Sequence, residues 1–548
     1  MLRIVNLNLR FFRALWLVPV LSIIHGCGQS LDPQSLIESA MERHAAGDYR
    51  TAMIELKNVL QDNPENARAR LELGKLYVSM ERVGFAEKEL LRARELGIPA
   101  NDILVPLGQS LLLQRDYKRL LAEVVTDQSV SDQLQLQILL LRGDAYLELA
   151  DIPKAEDAFT KVKNLEPENA DAFVGLAKVK IQTQDTSAAD ALISRAVSLV
   201  PESSNAWLVQ GHIERSRNDI EAAGQAFENA VKIESNKPFA GSTLFLARLG
   251  LVQTQLLQKK NAEAAKNIEL MIDAAPTHPA PKYFKAMLAY QSGDLDTAVP
   301  LLQEILKVDK KNTSALMLMG AIKFAQGNLQ QADMYLSTLL SVKSDDLVAR
   351  KMLASTRMKM EQPEHALEVL KLEGLAEEDD TGLLALSGAA YLRMGDYQTG
   401  IDYLERALEA EPDSPALQKD LLFSYVKAGK LDSAVELLEK TQSGKGKEGD
   451  YRKELMVIQI LLSGKDQKGA LQRAEALLKE RPDDPIVNNV IGGIMALMER
   501  YDQASGYFNK AVELNPSFEE AWMNLGRLAQ VQGRLEAAAG HYKHILTI

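Results

Sequence analysis

Few side chains in this 548-residue sequence could make or break a bond. It has one cysteine, Cys27, and seven histidines. A lone cysteine excludes an internal disulfide, so Cys27 acts, if at all, as a free or modified thiol. It closes the stretch Ile24-His25-Gly26-Cys27: an aliphatic residue, a variable one and a small one ahead of the sulfur. His541 and His544 are three apart, a spacing that puts two imidazoles on one helix face. A zinc site takes at least three protein ligands, and no third stands in the pattern, so no metal site is expected. The sequence contains no H-E-x-x-H, no G-x-S-x-G and no Rossmann glycine fingerprint. Its many carboxylates read as solvated surface charge. No catalytic residue and no cofactor is expected, and the chain does not read as an enzyme. The formal net charge of −12 argues against a nucleic-acid surface, which needs clustered Lys and Arg.

The thiol has a context. Arg3, Arg10 and Arg13 precede an apolar run from Ala14 to Ile24, and the first acidic residue is Asp32. A basic start, a short apolar core and small residues behind it describe a secretory signal over residues 1–26. The run of about 11 residues is too short for a bilayer, which needs roughly 20. In that setting Ile24-His25-Gly26-Cys27 resembles the lipobox of bacterial lipoproteins. The resemblance implies that the sulfur is alkylated by a diacylglycerol unit and that Gly26 lets a peptidase approach the backbone. His25 departs from the small residue or Val commoner there. Residues 27–32 would then be an acylated tether. Gly28 follows the cysteine where bacterial sorting rules would put Asp for retention, so the resemblance points to the outer membrane, on its periplasmic face.

Behind the tether the chain repeats itself. "LEPENADAFVGLAKV" (165–179), "LVPESSNAWLVQGHI" (199–213) and "LNPSFEEAWMNLGRL" (514–528) each carry Pro, an aromatic six residues on, and a small residue four beyond. Repeat starts fall at 33, 67, 101, 136, 170, 204, 245, 279, 313, 347, 381, 415, 451, 485 and 519. Eleven of the fourteen intervals are 34 residues; the others are 35, 41 and 36. Most repeats are small at position 8 (Gly74, Gly143, Gly211) and at position 20 (Ala52, Ala155, Ala223), where two antiparallel helices must approach closely. Phe159, Phe227 and Phe508 fill the space between. Gly47-Asp48-Tyr49 and Gly395-Asp396-Tyr397 read as a left-handed helix end followed by a capping Asp. This pattern resembles the tetratricopeptide (TPR) repeat. It implies an all-α fold, a right-handed α-solenoid superhelix of about 15 helix-turn-helix repeats.

A single repeat cannot hold itself together: ordering 34 residues costs on the order of 50 kcal/mol, and two short helices bury too little to offset it. Stacked neighbours supply the rest. The phase breaks at "TDQSVSD" (126–132), "ESNKPFAGST" (234–243) and "QSGKGKEGD" (442–450). These breaks are candidate bends, rather than true domain boundaries, between sub-solenoids of repeats 1–3 (33–135), 4–6 (136–244), 7–12 (245–450) and 13–15 (451–548). The chain stops inside the second helix of its last repeat, which leaves Tyr542, Ile545 and Leu546 without a following helix. Self-association through that uncapped end is one expectation.

What is left for function is a surface. In TPR proteins the first helix of each repeat lines a concave groove at positions 2, 5, 9 and 12. Carried over, these give Asp171, Val174, Lys178 and Ile181 in repeat 5, and Asn205, Leu208, His212 and Arg215 in repeat 6. In repeats 8 and 9 they give Tyr283, Met287, Tyr290, Met317 and Phe324. That aromatic and Met group is the expected anchor, since such residues dominate interface energetics. An extended peptide or a partner helix would fit such a groove.

One group of TPR proteins is closer than the rest. "AAGDYRTAMIELKNVLQDNPENARARLELGKLYVSM", then "AEKELLRARELGIP", resembles the N-terminal repeats of the exosortase/PEP-CTERM-associated TPR lipoproteins, the PrsT family. The lipobox, the early first repeat and the Gly-Ile-Pro ending of repeat 2 agree with it. Members usually continue with further repeats. The resemblance implies placement beside exopolysaccharide synthesis and PEP-CTERM protein sorting in the bacterial envelope. The expected function is a non-enzymatic, lipid-anchored scaffold that binds protein or peptide partners of that machinery. The competing expectation is an export accessory that contacts glycan directly.

Overall fold

The computed structural model describes residues 32–125, 130–239, 241–371, 380–440 and 447–548. Cys27, the signal segment and parts of all three phase breaks lie outside them. Among the described residues there are 30 helices and no strand. They pair as helix A and helix B of fifteen repeats, from Pro33–Ala45 with Tyr49–Asp62 to Glu519–Val531 with Leu535–Ile545. The fold is an all-α solenoid of helix-turn-helix repeats. Most first helices begin on the residue the repeat phase predicts. The exceptions cluster after the phase breaks: Asp132, Ser242 and Lys447 start their helices three or four residues early.

The chain divides into two compact units, residues 1–281 and 282–548, whose border falls inside the helix Pro279–Gln291 rather than at a phase break. Neither unit has one central core. In the first, Ile37, Leu56, Leu73 and Tyr77 join repeats 1 and 2, and Leu71, Leu90, Leu107, Leu120 and Leu141 join repeats 2 to 4. In the second, Leu384, Leu404, Leu421 and Val457 join repeats 11 to 13, and Ile458, Ile491, Phe508 and Leu525 continue into repeat 15. Each repeat therefore buries its apolar face against its neighbours, as a sum over interfaces requires.

The tightest points explain the small residues. Phe227, fully buried on helix B of repeat 6, fits between two first helices. A Cβ on Gly211 would lie 2.6 Å from its ring, and one on Gly250 of the next repeat 2.5 Å. Phe159 sits in the same way against Gly143 and Gly175. Repeat 3 departs from the pattern: Leu120 occupies the small position, and its second helix is only Tyr117–Glu123.

One expected regularity extends beyond the glycines, and a second was not anticipated. The turn between helices A and B puts position 15 in the left-handed region in every repeat. Glycine takes it without steric cost in repeats such as the first (Gly47) and eleventh (Gly395). Glu81, Arg115, Ala150, Gln184, Asn218, Lys259, Glu361, Lys465 and Glu499 take it at about 1–2 kcal/mol each. Next to it, Asp48, Asp151, Asp219, Asp294 and Asp396 accept a hydrogen bond from the backbone N–H three residues on, capping helix B. The second regularity is a donor at position 4. Trp207 Nε1 donates to the Pro201 carbonyl and Trp522 Nε1 to that of Pro516, both at 2.8 Å. Arg70 Nη2 to Pro64 (2.9 Å) and Gln418 Nε2 to Pro412 (2.8 Å) make the same bond. It ties the start of each such helix A to the end of the previous repeat.

Candidate interaction surface

The expected groove residues fall into two sets, one in each unit, with different chemistry. In the first unit the position-9 row is mostly polar: Lys75, Gln109, Asp144, Lys178, His212 and Gln253 follow Met41. Lys178 Nζ lies 3.3 Å from Asp144 Oδ1 on the neighbouring first helix. Arg215 reaches back to His212 Nδ1 at 3.3 Å and donates to Gln253 Oε1 on the next first helix. Lys178, His212 and Arg215 thus share one polar face over repeats 5 to 7.

Water reaches these groups, yet they are surrounded by protein. Burial, then the nearby Asp144, raises the Asp171 carboxyl above its ordinary value, with Lys178 opposing the shift. Burial lowers His212, and the Arg215 charge lowers it further. Its ring stands edge-on to Phe227, with centroids 5.1 Å apart. A histidine whose folded pKa lies below 6.5 stays neutral to a lower pH in the folded chain than in the unfolded one. Its contribution is therefore present above about pH 6.5 and lost as pH falls through the folded value. Melts between pH 7.5 and pH 5 are expected to show a shallower loss of thermal stability in His212→Gln than in the parent. An unchanged slope would remove His212 from this account.

Val174 and Leu208 do not line the surface. They are 1% and 8% exposed and belong to the cores that join repeats 5 to 7. Neighbouring first helices approach so closely at their small residues that position 5 turns into the contact between them. Ile181, at position 12, stays 39% exposed.

In repeats 8 and 9, at the start of the second unit, the same rows carry apolar side chains. Tyr283, Met287 and Tyr290 project from Pro279–Gln291 with i, i+4, i+7 spacing and rest half-buried on the core of repeats 8 and 9. Burial raises the Tyr283 phenol. Met317 leans on the contacts that join repeats 9 and 10. Phe324 carries the Lys359 ammonium 4.4 Å from its ring centre. Two further apolar side chains in these rows went unnoticed in the sequence: Val348, 58% exposed, and Phe423, 55% exposed. Both stand at groove positions, 2 and 9, which is the signal that could have found them.

His541 and His544 are brought together on Trp522, with ring centres 5.6 and 4.2 Å from the indole. Among the described residues no group of three His, Cys, Asp or Glu is placed to hold a metal ion.

Family models described as tetratricopeptide repeat match residues 43–96, 255–322, 289–354 and 391–453, and a second such model matches 174–238 and 498–548. The chain is a tetratricopeptide repeat protein. This TPR protein is 25% identical over 517 residues to the cellulose synthase operon protein C of Pseudomonas fluorescens (strain SBW25), across 88% of this chain and 37% of that one. It is 25% identical over 234 residues to the human mitochondrial import receptor subunit TOM70, across 41% of this chain and 37% of the relative. The TPR chain thus spans little more than a third of the length of either relative. Among solved structures, the APC/C hetero-tetramer Cut9-Hcn1 aligns at 14% identity with a TM-score of 0.37, over 90% of this chain and 96% of that one. TPR domains generally mediate protein–protein interaction, and this one is a scaffold of that kind.

Proposed function

We propose that this TPR protein is a non-enzymatic scaffold, lipid-anchored through Cys27 at the periplasmic face of a bacterial outer membrane. Its partners are proteins or peptides of the exopolysaccharide machinery, in the setting of PEP-CTERM protein sorting. One observation carries the binding role. The first helices of repeats 8 and 9 present Tyr283, Met287, Tyr290 and Met317 half-buried against the core, and Phe324 half-buried as well. Rigid aromatic and Met side chains held this way are the anchors that proteins use on one another. The envelope setting is supported by the lipobox-like Ile24-His25-Gly26-Cys27 and the basic, then apolar, segment before it. The polysaccharide setting is supported by the likeness to a protein named for a cellulose synthase operon. That same likeness favours a second reading, in which the chain contacts glycan directly.

A photo-crosslinking residue at Met287, introduced in the native envelope, tests the proposal. Discrete protein adducts are expected there and not from the exposed turn residue Lys310. Retention of the purified chain on cellulose, with no protein adduct at Met287, would support the glycan reading instead. Adducts no different between Met287 and Lys310 would remove this surface from the account.

A further inference from the structure

The extra residues of repeat 6 are not slack. Its interval to the next repeat is 41 residues against the usual 34, and Pro238 and Ser242 in the added stretch meet the turns of repeats 1 and 2. The helix that follows it, Ser242–Leu257, begins with no cap of its own, because Gly241 stands at its N-cap. A helix start leaves backbone N–H groups without partners and carries partial positive charge. Glu81, 161 residues earlier in the chain, supplies what is missing. Both carboxylate oxygens accept from the Ser242 N–H at 2.9 Å, and Oε1 also accepts from the Ser242 hydroxyl at 3.0 Å.

The fit is close on both sides. Glu81 reaches Ser242 from the left-handed turn of repeat 2, with φ 51°. A side chain on Gly241 would overlap its carboxylate. One turn earlier in the stack, Gly47 of repeat 1 lies so near Pro238 that a Cβ there would overlap the proline ring. Two successive intra-repeat turns are therefore engaged by one linker, through a charged cap and a steric seat. Periodic packing between adjacent repeats does not require either contact.

We propose that the long linker of repeat 6 is a latch. It fastens the beginning of the first unit to the start of repeat 7 and closes the intervening repeats on themselves. The polar face carrying Lys178, His212 and Arg215 then opens fully to a bulky partner only when Glu81 releases Ser242. The latch rests on these contacts alone and holds whatever the partner proves to be.

The full chain with Cys27→Ser and His212→Cys, which has one thiol, provides the test. A small maleimide is expected to label it at the same rate with or without Glu81→Ala. A polymer-bearing maleimide is expected to label the parent slowly and the Glu81→Ala variant about tenfold faster or more, the factor that matches loss of one charge-assisted hydrogen bond. Glu81→Gln, which keeps an acceptor, should fall between. Gly47→Leu, which unseats Pro238, should accelerate the bulky reagent independently. Spin labels at Arg50→Cys and Asn236→Cys, again without Cys27, should give a single narrow distance distribution in the latched chain. Equal bulky labelling in the parent and in both folded variants would overturn the latch. So would a broad distance distribution in the parent, a result that needs no latch variant to fold.

Discussion

Phe227→Ala is expected to destabilise the first unit by about 3–5 kcal/mol, the usual cost of deleting a fully buried phenylalanine. The reason lies in its seat. The ring is fully buried and touches Gly211 of its own repeat and Gly250 of the next, so its loss empties a contact shared by two interfaces. Neither glycine carries a side chain that could move into the cavity, which argues for the upper part of the range. His212 also stands edge-on to that ring, so the loss reaches the polar face. Denaturant unfolding of the full chain, followed by circular dichroism, should show the transition of the first unit moved to lower denaturant and that of the second unit in place. In a repeat array unfolding is not all-or-none, so the two must be fitted separately. A shift no larger than that of a surface substitution, about 0.5 kcal/mol, would show that neighbouring repeats close over the gap.

The second large effect concerns Cys27→Ser. Fractionated cells are expected to release the variant into the soluble fraction while the parent stays with the membrane. Each buried acyl methylene is worth about 0.8 kcal/mol, so two or more chains hold a protein firmly, whereas a serine holds nothing. Among the described residues no helix is long and apolar enough to cross a membrane, and the proposed attachment rests on the lipid. From Cys27 to Pro33, where the first helix begins, an extended chain spans at most about 20–22 Å at roughly 3.3–3.6 Å per residue. The first repeats would therefore stand next to the bilayer. A Cys27→Ser protein that remained in the membrane fraction would end the lipoprotein reading.

Much of the architecture was legible because a repeat states each packing rule many times. Small residues at positions 8 and 20 fixed both the phase and the helix pairs, and Phe159, Phe227 and Phe508 were placed in the core from their spacing. The phase breaks were read as interruptions, yet the structure uses them as early helix starts at Asp132, Ser242 and Lys447. A template carries no information about what lies outside its period. The bond from Glu81 to Ser242 is the extreme case, since nothing in either neighbourhood hints at a partner 161 residues away. For the surface, the polar and aromatic positions named from the sequence lie on first helices, whereas Val174 and Leu208, assigned to an open wall, are buried. How closely two first helices approach depends on the pair of glycines and the ring between them, and position 5 is buried only as a consequence. The donors at position 4 could have been found: Arg70, Trp207, Gln418 and Trp522 all carry an N–H six residues after a proline.

The bond between position 4 and the preceding proline carbonyl also gives each unit its own optical tag. Beyond the signal segment the chain holds two indoles, Trp207 in the first unit and Trp522 in the second, each pinned through its N–H. Steady emission from a variant that keeps one of them follows the melting of one half of the molecule and ignores the other.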